Sequence, residues 1–138
     1  MDELKVAALG AIDEARGTLV RLADQLHAHP EVGFNETQSS AALVEFLRER
    51  GFFVEYPAGE MPTAFKAWVG ADSPTIALLS EYDALPDVGH GCGHNLIAVS
   101  AIGAALGVAE VIAQLGGTVM VIGTPAEECL YEWPGKVR

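Results

Sequence analysis

The chain has 138 residues, of which 50% are hydrophobic and 20% are charged. This composition excludes a disordered or fibrous protein, and the length suits one domain with a core of its own. The formal net charge of −11 argues against a nucleic acid or an anionic membrane as the partner, because both are polyanions.

Two helices are predicted at the start of the chain. Apolar residues recur at helical spacing over residues 3–28, and Pro30 ends this helix because proline cannot continue the backbone hydrogen-bond ladder. A second helix is predicted from Asn35 to Arg50, with Gly51 as its stop. The acidic first residues lack the basic region and apolar run of a signal peptide, so we expect a cytoplasmic protein.

The rest of the chain alternates between strand and helix patterns. Strands are predicted at 52–56, at 64–69 with one wet face, at 75–80 as a central strand, and at 118–123 as a buried strand. The apolar segment at 95–114 is predicted to be a buried helix rather than a membrane span. The expected fold is α/β, a mixed sheet flanked by helices, with ligand-binding residues at the carboxyl ends of strands. Residues 129–138 show no clear pattern.

A glycine-rich loop follows the strand predicted at 75–80 and carries Cys92 and His94. Residues two apart in an extended loop point to the same side, so a thiolate and an imidazole could reach one divalent transition metal. The same pattern is compatible with a glycine-rich turn that contains a buried thiol and a structural histidine. His90 in this loop is interpreted as a residue that does not bind metal.

Acidic residues follow both apolar strands. Asp83 could accept the imidazole proton of His94 and orient the ring, or it could be a solvated loop residue. Glu81 could act in the same way or face solvent. Glu127 and Glu128 are adjacent carboxylates, which repel each other unless cations or donors compensate. One of the two could bind metal while the other accepts a proton from water, although a solvated acidic turn would have the same sequence.

The remaining candidates have simpler interpretations. His27 and His29 lie at the predicted end of the first helix, where a histidine cation favours the negative pole of the helix dipole. We prefer this capping role to metal binding. Cys92 and Cys129 are expected to be reduced thiols, although a disulfide between them is compatible with the sequence.

Four motifs carry a resemblance to a known family. They are His27–Glu36, Glu81–Pro86, Gly89–Asn95 and Gly123–Glu128. In this order they resemble the amidohydrolase branch of the aminoacylase and carboxypeptidase-like metallopeptidases, which includes hippurate, auxin-conjugate and aminobenzoyl-glutamate hydrolases. The resemblance implies a zinc-peptidase-like catalytic domain that hydrolyses the amide of an N-acyl amino acid or a dipeptide-like substrate.

The resemblance also implies roles for single residues. Cys92, His94 and Glu128 match the family's metal ligands, and the complete enzymes use two divalent cations, manganese or zinc. Glu127 matches the general base that deprotonates water. Asp83 matches the aspartate that orients the metal-binding histidine.

Members of this family are longer than 138 residues and carry further histidine ligands and a lid domain that also mediates dimer contacts. Residues 1–138 therefore match only a partial catalytic domain, which we expect to be weak or inactive alone. Exposed strand edges could allow the chain to form a homo-oligomer. A non-catalytic metal-binding or association fragment is the alternative. A thiol-dependent hydrolase using Cys92 with His94 is disfavoured, because a nucleophile and its base usually come from separate elements.

Overall fold

A computed structural model describes residues 2–128. The expectations for Cys129 and for the segment 129–138 therefore lie outside the described residues. The helices and strands are α1 (Asp2–Ala28), α2 (Thr37–Glu49), β1 (Phe53–Glu55), β2 (Phe65–Gly70), β3 (Thr75–Glu81), α3 (His94–Leu115) and β4 (Thr118–Thr124).

The four strands form one mixed sheet in the order β1-β2-β4-β3. β1 pairs with β2, and β2 with β4, in antiparallel fashion, whereas β3 and β4 are parallel. The parallel register places Glu81 opposite Thr124 at the last position of each strand. The two chain segments that leave β3 and β4 therefore start side by side at one end of the sheet. The predicted α/β fold with a mixed sheet is confirmed.

The predicted elements all form, with changes at their ends. α2 begins at Thr37 instead of Asn35, and β1 keeps only three of the five predicted residues. β4 is a buried strand as expected, and in β2 the fully buried Phe65 and Ala67 alternate with half-buried neighbours.

The prediction that β3 is a central strand is wrong for the described residues. β3 is paired only with β4 and lies at one edge of the sheet. Leu78 packs against the core, but Ile76 and Leu79 are 60% and 55% exposed. An apolar run is typical of a central parallel strand, but the run alone does not specify how many neighbours the strand has.

The core lies where α1, α2 and α3 meet the sheet. It contains Leu26 from α1, Leu43 and Leu47 from α2, Ile102 from α3 and Phe65 from β2. α3 is also the one helix in residues 2–128 that is long and apolar enough to span a membrane, and half of its most apolar window is buried inside the protein. Because it packs against α1, β3 and β4, we interpret α3 as the buried core helix that the sequence predicts.

The N-terminus of α2 is capped from outside the helix by Glu31. The backbone N–H groups of Gln38 and Ser39 donate to the Glu31 carboxylate at 3.0 and 2.7 Å. The hydroxyl groups of Thr37 and Ser39 donate to it as well. Glu31 thus satisfies N–H groups that a helix leaves without partners in its first turn. Glu36 stands at the N-cap position, but its side chain makes no cap hydrogen bond.

Replacing Glu31 by alanine should destabilise the fold by about 1 kcal/mol, the usual cost of losing an N-cap. Burial tends to raise the pKa of Glu31, but its hydrogen bonds to Ser39, Gln38 and Thr37 outweigh this and lower the pKa overall. A lowered folded-state pKa gives stability that is present above the ordinary glutamate pKa and is lost as the pH falls through the folded-state pKa.

The measurement is urea unfolding of Glu31→Ala between pH 3 and pH 7. The difference from the unsubstituted chain should be largest near neutral pH and should shrink below about pH 4. Glu45→Ala, at an exposed position of the same helix, is the matched control. An equal loss in both variants, or a loss that does not depend on pH, would contradict the capping role.

Candidate metal centre

The candidate site forms at the end of the sheet where β3 and β4 stop and α3 begins. Glu81 is the last residue of β3, and His94 is the first residue of α3. The residue between the loop and the helix is Gly93, with a φ of 82°. This left-handed conformation costs glycine little, because it has no Cβ. Gly93 therefore allows the loop to turn sharply into α3 and present His94 at the strand ends.

His94 is fixed by the buried carboxylate of Asp83. Nδ1 of His94 lies 2.7 Å from Oδ1 of Asp83 and 3.1 Å from the Asp83 carbonyl oxygen. Both oxygens are acceptors, so we assign the proton to Nδ1, which leaves the lone pair of a neutral ring on Nε2. Both residues are almost fully buried, at 3% exposure each. The ring is thus oriented with its metal-binding nitrogen toward the strand ends.

Three glutamates surround Nε2 of His94. Their nearest carboxylate oxygens lie at 3.7 Å for Glu81, 3.7 Å for Glu127 and 3.9 Å for Glu128. Within residues 2–128, no lysine or arginine forms an ion pair with any of them. Carboxylates this close disfavour each other's charged forms unless a cation lies between them.

The donor set suits a divalent cation. Single ligand atoms of Glu81, His94 and Glu127 all lie within 4.8 Å of one another. The separations from Nε2 are too long for hydrogen bonds but shorter than twice a metal–ligand distance of about 2.1 Å. One ion could therefore contact the imidazole and a carboxylate together. Imidazole and carboxylate ligands suit zinc and manganese.

Cys92 lies next to this cluster and is exposed. A hydrogen bond between its thiol and Glu128 raises the pKa of the thiol, and the nearby charges of Glu128, Asp83 and Glu127 act in the same direction. The backbone N–H of Glu128 donates to Oδ2 of Asp83 at 3.0 Å. Asp83 therefore fixes both His94 and the backbone of Glu128, and Glu128 in turn contacts Cys92.

All five residues that the sequence singled out are brought to one place. Cys92, His94 and Glu128, the predicted metal ligands, are neighbours, and Glu127 and Asp83 adjoin them. Their roles in binding and catalysis remain predictions, because this proximity alone does not distinguish a ligand from a base.

Glu81 is the residue whose part in this cluster the sequence did not identify. The sequence predicts only that it orients His94 or faces solvent, but its Oε2 faces Nε2 of His94. A signal was present, since Glu81 and Asp83 are two residues apart and extended backbone directs such residues to one side.

The other three histidines do not contribute to the cluster of Glu81, His94 and Glu127 found within residues 2–128. His27 lies in the last turn of α1, as the capping interpretation requires, and its ring stacks on His90 at a centroid distance of 6.4 Å. Burial lowers the pKa of His90. His29 follows the end of α1 and is exposed.

Comparison with known proteins places this arrangement among metal-dependent hydrolases. No family model matches the chain. A p-aminobenzoyl-glutamate hydrolase of Escherichia coli is 39% identical over 137 residues, which cover 86% of this chain and 28% of the relative. The Xaa-Arg dipeptidase of Mus musculus is 37% identical over 142 residues, which cover 93% of this chain and 33% of the relative.

A solved structure from Bacillus subtilis, described as a dinuclear metal-binding peptidase of the M20 family, matches with a TM-score of 0.75. It is 30% identical and covers 84% of this chain and 37% of that one. The chain belongs to the M20 amidohydrolase family. This M20 chain spans about a third of the length of the relatives it matches.

The contact between Glu128 and Cys92 in the M20 chain generates a prediction about thiol reactivity. Without metal, the raised pKa keeps less of Cys92 as the reactive thiolate at neutral pH. Glu128→Gln removes the negative charge, so the pKa should fall and alkylation of Cys92 should become faster.

The measurement is the rate of iodoacetamide labelling of the peptide that contains Cys92, determined by mass spectrometry in the presence of a chelator. Glu110→Gln, at an exposed position far along α3, controls for the change in net charge. An unchanged rate in Glu128→Gln would show that the thiol does not interact with this carboxylate in solution.

Proposed function

We propose that this chain forms the metal-binding and proton-transferring part of an amide hydrolase. The observation that carries the proposal is the environment of His94. Its Nδ1 is held by Asp83, while its Nε2 faces the carboxylate oxygens of Glu81, Glu127 and Glu128 at 3.7 to 3.9 Å. An oriented neutral imidazole among uncompensated carboxylates is the arrangement expected of a site for divalent cations.

The proposed substrates are N-acyl amino acids or dipeptides. The names of the two relatives support this class, because p-aminobenzoyl-glutamate and an Xaa-Arg dipeptide both contain an amide between an acyl group and an amino acid. The reaction would be hydrolysis of that amide. The cations would be two per complete enzyme, manganese or zinc, as the dinuclear neighbour from Bacillus subtilis supports for their number.

The residues of the chain divide the chemistry between them. A bound divalent cation would lower the pKa of water and polarise the substrate carbonyl. Cys92, His94 and Glu128 would hold the cation, with Glu81 as a further carboxylate beside it. Glu127, whose side chain is 48% exposed, is accessible to solvent and substrate. It would accept a proton from water and return it to the leaving nitrogen.

The described ligands are too few to surround two cations by themselves. We therefore expect residues 1–138 alone to bind metal and to hydrolyse substrate weakly. The alternative function, a metal-binding fragment without catalysis, predicts the same metal binding but no hydrolysis at all. Turnover of p-aminobenzoyl-glutamate by the manganese-loaded chain separates the two.

The first prediction is that His94→Gln weakens metal binding by about tenfold or more, since even the partners of metal ligands contribute about 10- to 100-fold to affinity. The measurement is calorimetric titration of the chain with Mn²⁺ and with Zn²⁺. His29→Gln, at an exposed position outside the cluster, should leave the affinity unchanged. Equal affinities for His94→Gln and the unsubstituted chain would refute the proposed metal centre.

The second prediction separates the two adjacent glutamates. Glu128→Gln should weaken Mn²⁺ binding by about tenfold, because a ligand loses its charge. Glu127→Gln should bind Mn²⁺ nearly as well as the unsubstituted chain while losing about 10²-fold or more of any amide hydrolysis, because a base has been removed. If Glu127→Gln binds metal as weakly as Glu128→Gln does, Glu127 is a ligand and the proposed division of roles is wrong.

A further inference from the structure

Glu36 is a fully buried carboxylate that the proposed chemistry does not use. Its exposure is 0%, and within residues 2–128 no lysine, arginine or histidine forms an ion pair with it. Burial raises its pKa, against the effect of the hydrogen bonds it accepts. A buried, unpaired carboxyl group is costly to maintain, so its contacts need a structural or functional explanation.

The two carboxylate oxygens of Glu36 bind two different chain segments. The backbone N–H of Ala126 donates to Oε1 at 2.7 Å, and the hydroxyl of Thr63 donates to Oε2 at 3.0 Å. The hydroxyl of Tyr82 then donates to the carbonyl oxygen of Thr63. Tyr82 lies between Glu81 and Asp83, so one hydrogen-bonded network reaches both acidic segments of the site.

Ala126 adopts an unusual backbone conformation at this contact. Its φ is 57°, in the left-handed region that is unfavourable for a residue with a Cβ. Such a conformation persists where surrounding contacts impose it. The hydrogen bond to Glu36 is made by the N–H of this residue, directly before Glu127 and Glu128. The turn that directs the two glutamates toward His94 is thus held at one end by Glu36 and at the other by Asp83, through the N–H of Glu128.

Helix formation does not explain the carboxylate of Glu36. Glu36 occupies the N-cap position of α2, but Glu31 supplies the capping oxygens to the first turn. The side chain of Glu36 is therefore available to bind Ala126, which is 90 residues away in the chain.

We propose that Glu36 is a positioning residue that holds Ala126 in the left-handed turn and so aims Glu127 and Glu128 at His94. The inference rests on the proposed function in one respect, since it assigns the aimed glutamates to a cation site. Glu36 itself touches neither cation nor substrate. It acts through the backbone of Ala126.

Three variants test this role. Glu36→Leu removes both acceptor oxygens. Glu36→Gln keeps a carbonyl oxygen for the N–H of Ala126 and is the conservative rescue. Thr63→Val removes the other hydrogen bond of Glu36 and leaves the one to Ala126, so it is the control for a general loss of stability in the same buried network.

Two readouts are measured on the whole chain. The first, without metal, is the set of backbone amide signals of Ala126, Glu127 and Glu128 in ¹⁵N–¹H NMR spectra. The second is the affinity for Mn²⁺, together with the visible absorption of the Co²⁺-loaded chain, which reports the ligand geometry. We expect Glu36→Leu to shift the three amide signals, to alter the Co²⁺ spectrum and to weaken Mn²⁺ binding by about tenfold. Glu36→Gln and Thr63→Val should keep the affinity and spectrum of the unsubstituted chain.

Three outcomes would overturn the inference: unchanged amide signals in Glu36→Leu, unchanged Mn²⁺ affinity in a folded Glu36→Leu, or equal losses of affinity in Glu36→Leu and Thr63→Val. If Glu36→Leu does not fold, a loss of affinity in Glu36→Gln confined to Mn²⁺ binding, with normal unfolding behaviour, would contradict the expected rescue, and its retention would support it. Failure of the unsubstituted chain to bind Mn²⁺ would instead refute the proposed function, and the amide signals alone would then decide the role of Glu36.

Discussion

The carboxylate of Asp83 is the group on which the candidate site depends. One of its oxygens faces Nδ1 of His94 at 2.7 Å, and the other accepts the N–H of Glu128 at 3.0 Å. A single buried side chain thereby sets the orientation of an imidazole from α3 and the position of a segment that follows β4. Hydrogen bonds of this kind are strong in a buried setting, because the local dielectric constant is low and one partner is charged.

The parallel pairing of β3 and β4 makes these contacts possible. Glu81 and Thr124 are paired at the ends of the two strands, so the acidic residues beyond them emerge together. Carboxyl ends of parallel strands are where open α/β sheets place their ligands. The antiparallel strands β1 and β2 lie on the other side of β4 and contribute to the core instead of the site.

Negative charge concentrated at one end of the sheet has an energetic consequence. Glu81, Glu127 and Glu128 face one nitrogen of His94, and within the described part of the chain their nearest positive partner would be that imidazole if protonated. Their mutual repulsion opposes folding when no cation is bound. Binding of a divalent cation would therefore stabilise the fold as well as complete the site, because it removes this repulsion.

Much of this arrangement follows from local sequence. Periodic apolar residues specified the three helices and four strands, because a period of 3.6 or 2 reflects which side of an element is buried. The loop from Gly89 to Asn95 and the pair Glu127 and Glu128 identified the donor groups. Tertiary structure alone decided that β3 lies at an edge and that Glu81 faces His94. It also decided that Glu36 reaches Ala126, 90 residues away. Strand order and long-range hydrogen bonds depend on how distant segments pack, and no local pattern records that information.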